Sequence, residues 1–182
     1  LRRLSEAGFR GVRFNFMKHL PGAVDAEQVI ALTSRLHGLG MHLQVHFDSS
    51  LVHELTPFFA RSRVPVMIDH MGRPDTRGGI DAPGFQALLR FVKSGRGWSK
   101  LSAPYRTSRA APPYADITKF AHALVAAAPD RLVWGTDWPH VMMEGAMPNT
   151  GIFAELLATW VPDEAVRKRI LVDNPARLYG FK

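Results

Sequence analysis

The residues of this sequence that are best suited to chemistry stand near the ends of short apolar runs. His46, His70 and Asp137 each occupy such a position. A carboxylate can take a proton from water, and a histidine can polarise a carbonyl group or bind a metal ion. Ionisable side chains are costly in a core unless they are paired or used, so their joint placement indicates an enzyme. Further polar residues share this placement: Arg13, Asn15, Gln44, Tyr105 and Arg106.

Five strand-like runs would position these side chains, and helical patterns separate the runs. Asp25–Leu39 is one such helix, since Asp25 can cap its first turn and Val29, Leu32 and Leu36 recur at helical spacing. Alternation of strands and helices predicts an α/β fold with a parallel sheet, either open or part of a closed barrel. No glycine-rich loop follows the first run, which disfavours an open nucleotide-binding sheet. The five runs are Gly11–Phe16, Met41–Phe47, Val64–Asp69, Trp98–Ser102 and Arg131–Thr136.

The alternation of side chains along a strand predicts which residues share a face. Arg13 should lie beside Asn15, and His46 beside Gln44 and His42, with His42 as a structural residue deeper in the sheet. The same rule groups His70 with Ile68, and Asp137 with Gly135 and Val133. It places Asp69 and Asp48 on the faces opposite their histidine neighbours, where helix capping or loop anchoring is the expected role.

Composition narrows the classes of partner. The chain has 182 residues, 46% of them hydrophobic, and has no cysteine, so any metal site needs histidine and carboxylate ligands. The formal net charge of +7 fits either an anionic small molecule or a basic surface without a partner. The Lys and Arg residues are scattered and form no nucleic-acid motif, and no apolar run is long enough for a membrane span. We therefore expect neither nucleic acid nor membrane as a partner, and a cytoplasmic protein.

Two motifs resemble a known family. Ile68-Asp69-His70-Met71-Gly72-Arg73-Pro74 and Trp134-Gly135-Thr136-Asp137-Trp138-Pro139-His140 are similar to motifs of amidohydrolase-related family 2. The segment Gly8–Asn15 resembles the branch that contains the 2-pyrone-4,6-dicarboxylate lactonases. The resemblance implies one domain over residues 1–182, with about strands 4 to 8 of a (β/α)8 TIM-type barrel. It also implies that the domain is N-terminally incomplete, because the family's first-strand His-x-His motif does not occur here.

The resemblance also implies roles for individual residues. Asp137 would activate water, and His70 would bind a metal or polarise the carbonyl. If a divalent metal such as zinc is bound, His46 would join His70 and Asp137 as a ligand; the lactonase branch implies none. The groups expected to bind a carboxylated substrate are Arg13, Arg106, His46, His140, Asn15 and Tyr105, where His140 could instead orient Asp137.

Three functions are compatible with this reading. The first is a hydrolase that opens a carboxylated lactone by means of water activated by Asp137. The second is a zinc-dependent decarboxylase of aromatic or muconate-type acids, which the presence of His46 favours. The third is an inactive barrel fragment with a binding or structural role. The sequence does not determine the oligomeric state.

Overall fold

A parallel sheet of five strands organises the computed structural model, which describes residues 1–17, 24–143 and 147–181. The strands lie in chain order, and each of the four neighbouring pairs is parallel. This arrangement confirms the predicted α/β class and all five predicted strands, although the third and fifth are shorter than expected. The strands are β1 (Gly11–Asn15), β2 (His42–His46), β3 (Val66–Ile68), β4 (Gly97–Leu101) and β5 (Leu132–Trp134).

Helices connect the strands, as parallel pairing requires. Asp25 caps the longest N-terminal helix by accepting a hydrogen bond from the Glu27 amide, as predicted. The expected long helix after Asp163 is interrupted by a π-helical turn over Arg169–Asp173. The helices are α1 (Arg2–Glu6), α2 (Ala26–His37), α3 (Val52–Phe59), α4 (Pro83–Lys93), α5 (Ala115–Ala127), α6 (Thr150–Trp160), α7 (Glu164–Lys168) and α8 (Asn174–Tyr179). Within the described ranges, none is long and apolar enough to cross a membrane.

The two faces of the sheet have different neighbours. The larger apolar core contains alternate strand residues, such as Val45, Ile68 and Leu101, together with residues of the helices. A smaller cluster contains Met67, Trp98 and Val133 from the opposite face, closed by Leu178 of α8. A layer of helices on one face and side chains filling the other is the layout of part of a (β/α)8 barrel. The second face is therefore the barrel interior, and the strand ends above it form the rim.

One predicted face is wrong, and the backbone explains why. Ile68 packs in the outer core while Met67 packs in the interior cluster, so simple alternation would turn Asp69 inward and His70 outward. The chain leaves β3 at this point and enters a left-handed turn, in which His70 has φ 52°. This turn brings His70 to the interior side as well. Asp69 and His70 therefore both lie at the rim, and His70 does not share a face with Ile68.

Candidate active site

A cavity of about 640 Å³ lies at the carboxyl ends of the strands, and each strand or the segment directly after it contributes residues to it. Because parallel strands end at one edge, residues that are far apart in sequence meet there. From β1 to β5, the polar lining comprises Arg13, Asn15, Gln44, His46, Asp69, His70, Arg73, Lys100, Arg106 and Asp137. The structure thus brings together most of the predicted site residues, and it adds four that were not assigned a role in the site: Gln44, Asp69, Arg73 and Lys100.

Asp137 is held through one of its two carboxylate oxygens. Its Oδ2 accepts hydrogen bonds from Tyr105 Oη and from Arg106 Nε, both at 2.6 Å. Its Oδ1 lies 3.7 Å from His70 Nε2 and accepts no hydrogen bond from the residues described. Burial raises the pKa of Asp137, but the Tyr105 hydroxyl, His70 and Arg106 together hold that pKa below its usual value. The side chain is therefore ionised at neutral pH, with Oδ1 available to take a proton.

His140 and Tyr105 lie behind Asp137 and outside the cavity lining. The His140 amide donates to Asp137 O at 2.8 Å, and this turn places the buried ring against Tyr105. His140 Nδ1 is 3.2 Å from Tyr105 Oη, and its Nε2 is 3.2 Å from Thr150 Oγ1. Neither residue lines the cavity, so the expected substrate contacts of His140 and Tyr105 stay predictions. The position of His140 is compatible with the alternative, in which it orients Asp137, because its ring contacts Tyr105 and the Tyr105 hydroxyl donates to Asp137.

Arg106 contacts both the cavity and Asp137. It lines the cavity, but its Nε binds Asp137 and its Nη2 donates to Val141 O at 3.1 Å. Its guanidinium also lies over the Tyr105 ring, 5.2 Å from the ring centroid. The contact of Arg106 that the structure shows is therefore with Asp137, which it positions. Its contact with a substrate carboxylate stays a prediction.

His70 is a buried and neutral histidine. Burial lowers its pKa to about 4, although Asp69 and Asp137 both favour the charged form. Its Nδ1 lies 2.8 Å from Ser102 Oγ, a partner that the sequence did not reveal. A hydroxyl that donates to Nδ1 leaves the proton on Nε2, the nitrogen nearer Asp137. In this tautomer, Nε2–H can donate to a carbonyl oxygen that develops negative charge.

The backbone that carries His70 is strained. Four consecutive residues have positive φ angles: His70 (52°), Met71 (55°), Gly72 (67°) and Arg73 (49°). This conformation costs about 1–2 kcal/mol for each residue other than glycine. A Cβ at Gly72 would lie 2.9 Å from Leu88 Cδ2, so the Leu88 side chain would have to shift to admit a larger residue. Strain of this kind is concentrated at functional sites, and here it carries two cavity-lining side chains.

Asp69 is the centre of a second polar cluster, at the ends of β1, β2 and β4. Its Oδ1 accepts hydrogen bonds from Lys100 Nζ and Gln44 Nε2, both at 2.9 Å, and its Oδ2 accepts one from Arg13 Nε at 2.8 Å. Burial raises its pKa, but Lys100, His70 and Arg13 outweigh that effect and hold the pKa far below the usual range. The expectation that Asp69 caps a helix or anchors a loop is therefore wrong. The missed signal was Lys100, an ionisable residue on the same face as Trp98.

His46 and Asn15 complete the lining beside this cluster. Both ring nitrogens of His46 are buried without a hydrogen-bond partner in the described part of the chain, and burial lowers its pKa to about 3. Its ring meets that of His70 edge to face, with centroids 5.1 Å apart. Asn15 accepts a hydrogen bond from the Met17 amide at 3.1 Å. Substrate contacts of these two residues stay predictions.

The described residues do not assemble a complete metal site. No group of three or more His, Asp or Glu side chains within these ranges could hold a metal ion. The expected set was His46, His70 and Asp137, and these three side chains do not form such a group in the described residues. Their role as metal ligands stays a prediction.

The fold and the cavity together define a partial (β/α)8 barrel with a site at its carboxyl-end rim. The chain belongs to the amidohydrolase family, whose model matches residues 1–181.

Three curated relatives share names that refer to lactones or pyrones. The 2-pyrone-4,6-dicarboxylate hydrolase of Comamonas testosteroni is 37% identical over 188 residues, covering 98% of this chain and 62% of the relative. The 4-sulfomuconolactone hydrolase of Rhizobium radiobacter is 41% identical, with 99% and 61% covered. The D-galactarolactone isomerase of Agrobacterium fabrum is 36% identical, with 98% and 61% covered. The chain thus spans about three fifths of the length of these relatives.

Solved structures show the same fold. A crystal structure of an Agrobacterium tumefaciens protein matches with a TM-score of 0.85 at 35% identity, covering 99% of this chain and 64% of that one. A probable 2-pyrone-4,6-dicarboxylic acid hydrolase from Acinetobacter baumannii, solved with citric acid bound, matches with a TM-score of 0.83 at 27% identity, with 98% and 67% covered.

Proposed function

We propose that this chain carries the water-activating part of a hydrolase that opens a carboxylated lactone. The observation that carries the proposal is the pair of Asp137 and His70. One oxygen of Asp137 is held by two donors, and the other stands 3.7 Å from the Nε2 of a neutral histidine. A base and an electrophilic donor side by side in one cavity are the groups that ester hydrolysis requires.

The reaction follows from these two positions. Asp137 Oδ1 takes a proton from water as the water oxygen attacks the lactone carbonyl carbon. His70 Nε2–H donates a hydrogen bond to the oxyanion that forms. The tetrahedral intermediate then breaks the bond to the ring oxygen, and that oxygen receives the proton from Asp137. The product is an open-chain acid, and both residues return to their initial states.

The charge of the cavity supports an anionic substrate. Its lining contains the four cations Arg13, Arg73, Lys100 and Arg106 but only the two carboxylates Asp69 and Asp137. With neutral His46 and His70, the lining carries two net positive charges, which would attract and bind an anion. The names of the relatives and the citric acid in one solved structure agree with carboxylated ligands.

Ring opening in labelled water tests the proposal. The protein, expressed as its gene encodes it, is incubated with 2-pyrone-4,6-dicarboxylate in H₂¹⁸O. The product is identified by mass spectrometry and NMR. Hydrolysis incorporates one ¹⁸O into an open-chain acid. The isomerase among the relatives motivates a second candidate, lactone isomerisation, which would give a rearranged lactone without the label. Failure of the folded protein to open any carboxylated lactone would overturn the proposal.

A further inference from the structure

Resting on the proposed lactonase activity, we propose that Arg73 is the specificity-determining residue that binds one anionic group of the substrate. Arg73 follows the strained turn after β3 and lines the same cavity as His70 and Asp137.

The ion pairs of the cavity single out Arg73 among the four lining cations. Arg13 and Lys100 both bind Asp69, at 2.8 and 2.9 Å, and Arg106 binds Asp137 at 2.6 Å. Arg73 forms no ion pair with any carboxylate in residues 1–17, 24–143 and 147–181. Its guanidinium is therefore the one that can bind an incoming carboxylate without first releasing an internal partner from the described structure.

The backbone directs Arg73 to the same side as His70. The Arg73 amide donates to His70 O at 2.9 Å, so the left-handed turn has about three residues per turn. In a turn of that pitch, side chains three positions apart lie on the same side. The strain of the turn thus places an electrophilic group and an anion-binding group together, which explains why the conformation is retained despite its cost.

The environment of Arg73 favours an anionic ligand. Its side chain is half-buried, and burial lowers its pKa, although Asp48 and Asp137, which form no ion pair with it, oppose that shift. A guanidinium that has lost part of its hydration without forming an ion pair is stabilised when a carboxylate supplies two parallel hydrogen bonds. Arg77, four residues later, has the opposite setting: it is exposed and already paired with Asp75. Arg77 is therefore a matched control for the charge of this segment.

Ligand binding without turnover tests the role of Arg73. In an Asp137→Asn background, the fluorescence of Trp134 and Trp138, which line the cavity, reports binding. The probes are 2-pyrone-4,6-dicarboxylate and the two 2-pyrone monocarboxylates, with the carboxylate at position 4 or 6. Arg73→Met should weaken dicarboxylate binding by about 10- to 100-fold, the worth of a charge-assisted hydrogen-bond pair. It should weaken the binding of one monocarboxylate to a similar extent and the binding of the other by less than about threefold. This difference is expected because Arg73 binds only one of the two carboxylates.

Controls separate this proposal from a structural effect and from the proposed function. Arg73→Lys should restore part of the affinity, and Arg77→Met should leave all three dissociation constants unchanged. Circular dichroism and thermal melting verify that each variant is folded. Equal weakening for all three probes, no weakening for any, or no binding by the folded background protein would overturn the role of Arg73. Because binding is measured without hydrolysis, a protein that binds through Arg73 but opens no lactone would contradict only the proposed function.

Discussion

Two aspartates stand at the rim of the same sheet, and their surroundings differ. Asp69 is 2% exposed, and both of its oxygens accept hydrogen bonds from Lys100, Gln44 and Arg13. Asp137 is 18% exposed, and only its Oδ2 is held by donors. Asp69 therefore neutralises and fixes its neighbours, whereas Asp137 keeps one oxygen for a substrate or water. The distribution of donors, and not the residue type, distinguishes the structural carboxylate from the proposed base.

The largest expected effect comes from Asp137→Asn. An amide at this position cannot accept the proton of water, so the turnover number for lactone opening should fall by about 10²- to 10⁴-fold. The free energy of unfolding should change little, because the amide can keep the Oδ2 contacts. Steady-state kinetics and urea unfolding of the same preparation measure the two effects. Unchanged turnover would remove Asp137 from the chemistry.

Asp69→Asn should reduce stability more than it reduces turnover. The substitution leaves Lys100 and the half-exposed Arg13 without their shared counter-charge, which should lower the free energy of unfolding by about 2 kcal/mol. Urea denaturation of both proteins gives this quantity, and the dependence of the unfolding free energy on urea concentration is compared between them. A loss below about 1 kcal/mol would show that the cluster is not a major source of stability. Turnover by the fraction that remains folded should fall much less than in Asp137→Asn.

Tyr105→Phe tests the positioning of Asp137. Loss of the 2.6 Å hydrogen bond removes one cause of the lowered pKa, so the pKa of Asp137 should rise and the acid limb of the pH–rate profile should move to higher pH. We expect turnover at neutral pH to fall by about 10-fold, the scale of one such bond. Tyr114→Phe is the control, since Tyr114 packs against the same Phe153 ring that Tyr105 contacts. A similar shift in both variants would indicate a packing effect.

The smallest effect concerns stability and pH. The folded-state pKa of Asp69 lies below the value of about 3.9 expected for an unfolded chain. Its contribution is therefore complete above the unfolded pKa and is lost as the pH falls toward the folded one. Below about pH 4, the difference in unfolding free energy between the natural protein and Asp69→Asn should shrink by up to ~1.4 kcal/mol per pH unit. A constant difference from pH 7 to pH 3 would contradict this linkage.

Much of the fold and part of the site could be predicted because their signals are local. The alternation of apolar residues within β1 and β2 placed Arg13, Asn15, Gln44 and His46 on one face, and all four line the cavity. The same rule failed after β3, where simple alternation ends and three non-glycine residues adopt positive φ angles. No pattern in the sequence marks that conformation, since Met71 and Arg73 disfavour it in isolation. In the folded chain, this turn has tertiary contacts through His70, which binds Ser102, and through Gly72, which lies against Leu88.

The sequence by itself determined five parallel strands, their helices, and a rim where Asp137, His70 and Arg13 would meet. Those features depend on periodicity and on the rule that parallel strands end together. The tertiary structure alone decided which side chains neutralise one another. It paired Arg13 with Asp69, turned His140 behind Asp137, and left Arg73 without an ion-pair partner among the described residues. Ion pairs and hydrogen bonds depend on distances of a few ångströms between residues far apart in the chain, and only the folded backbone sets those distances.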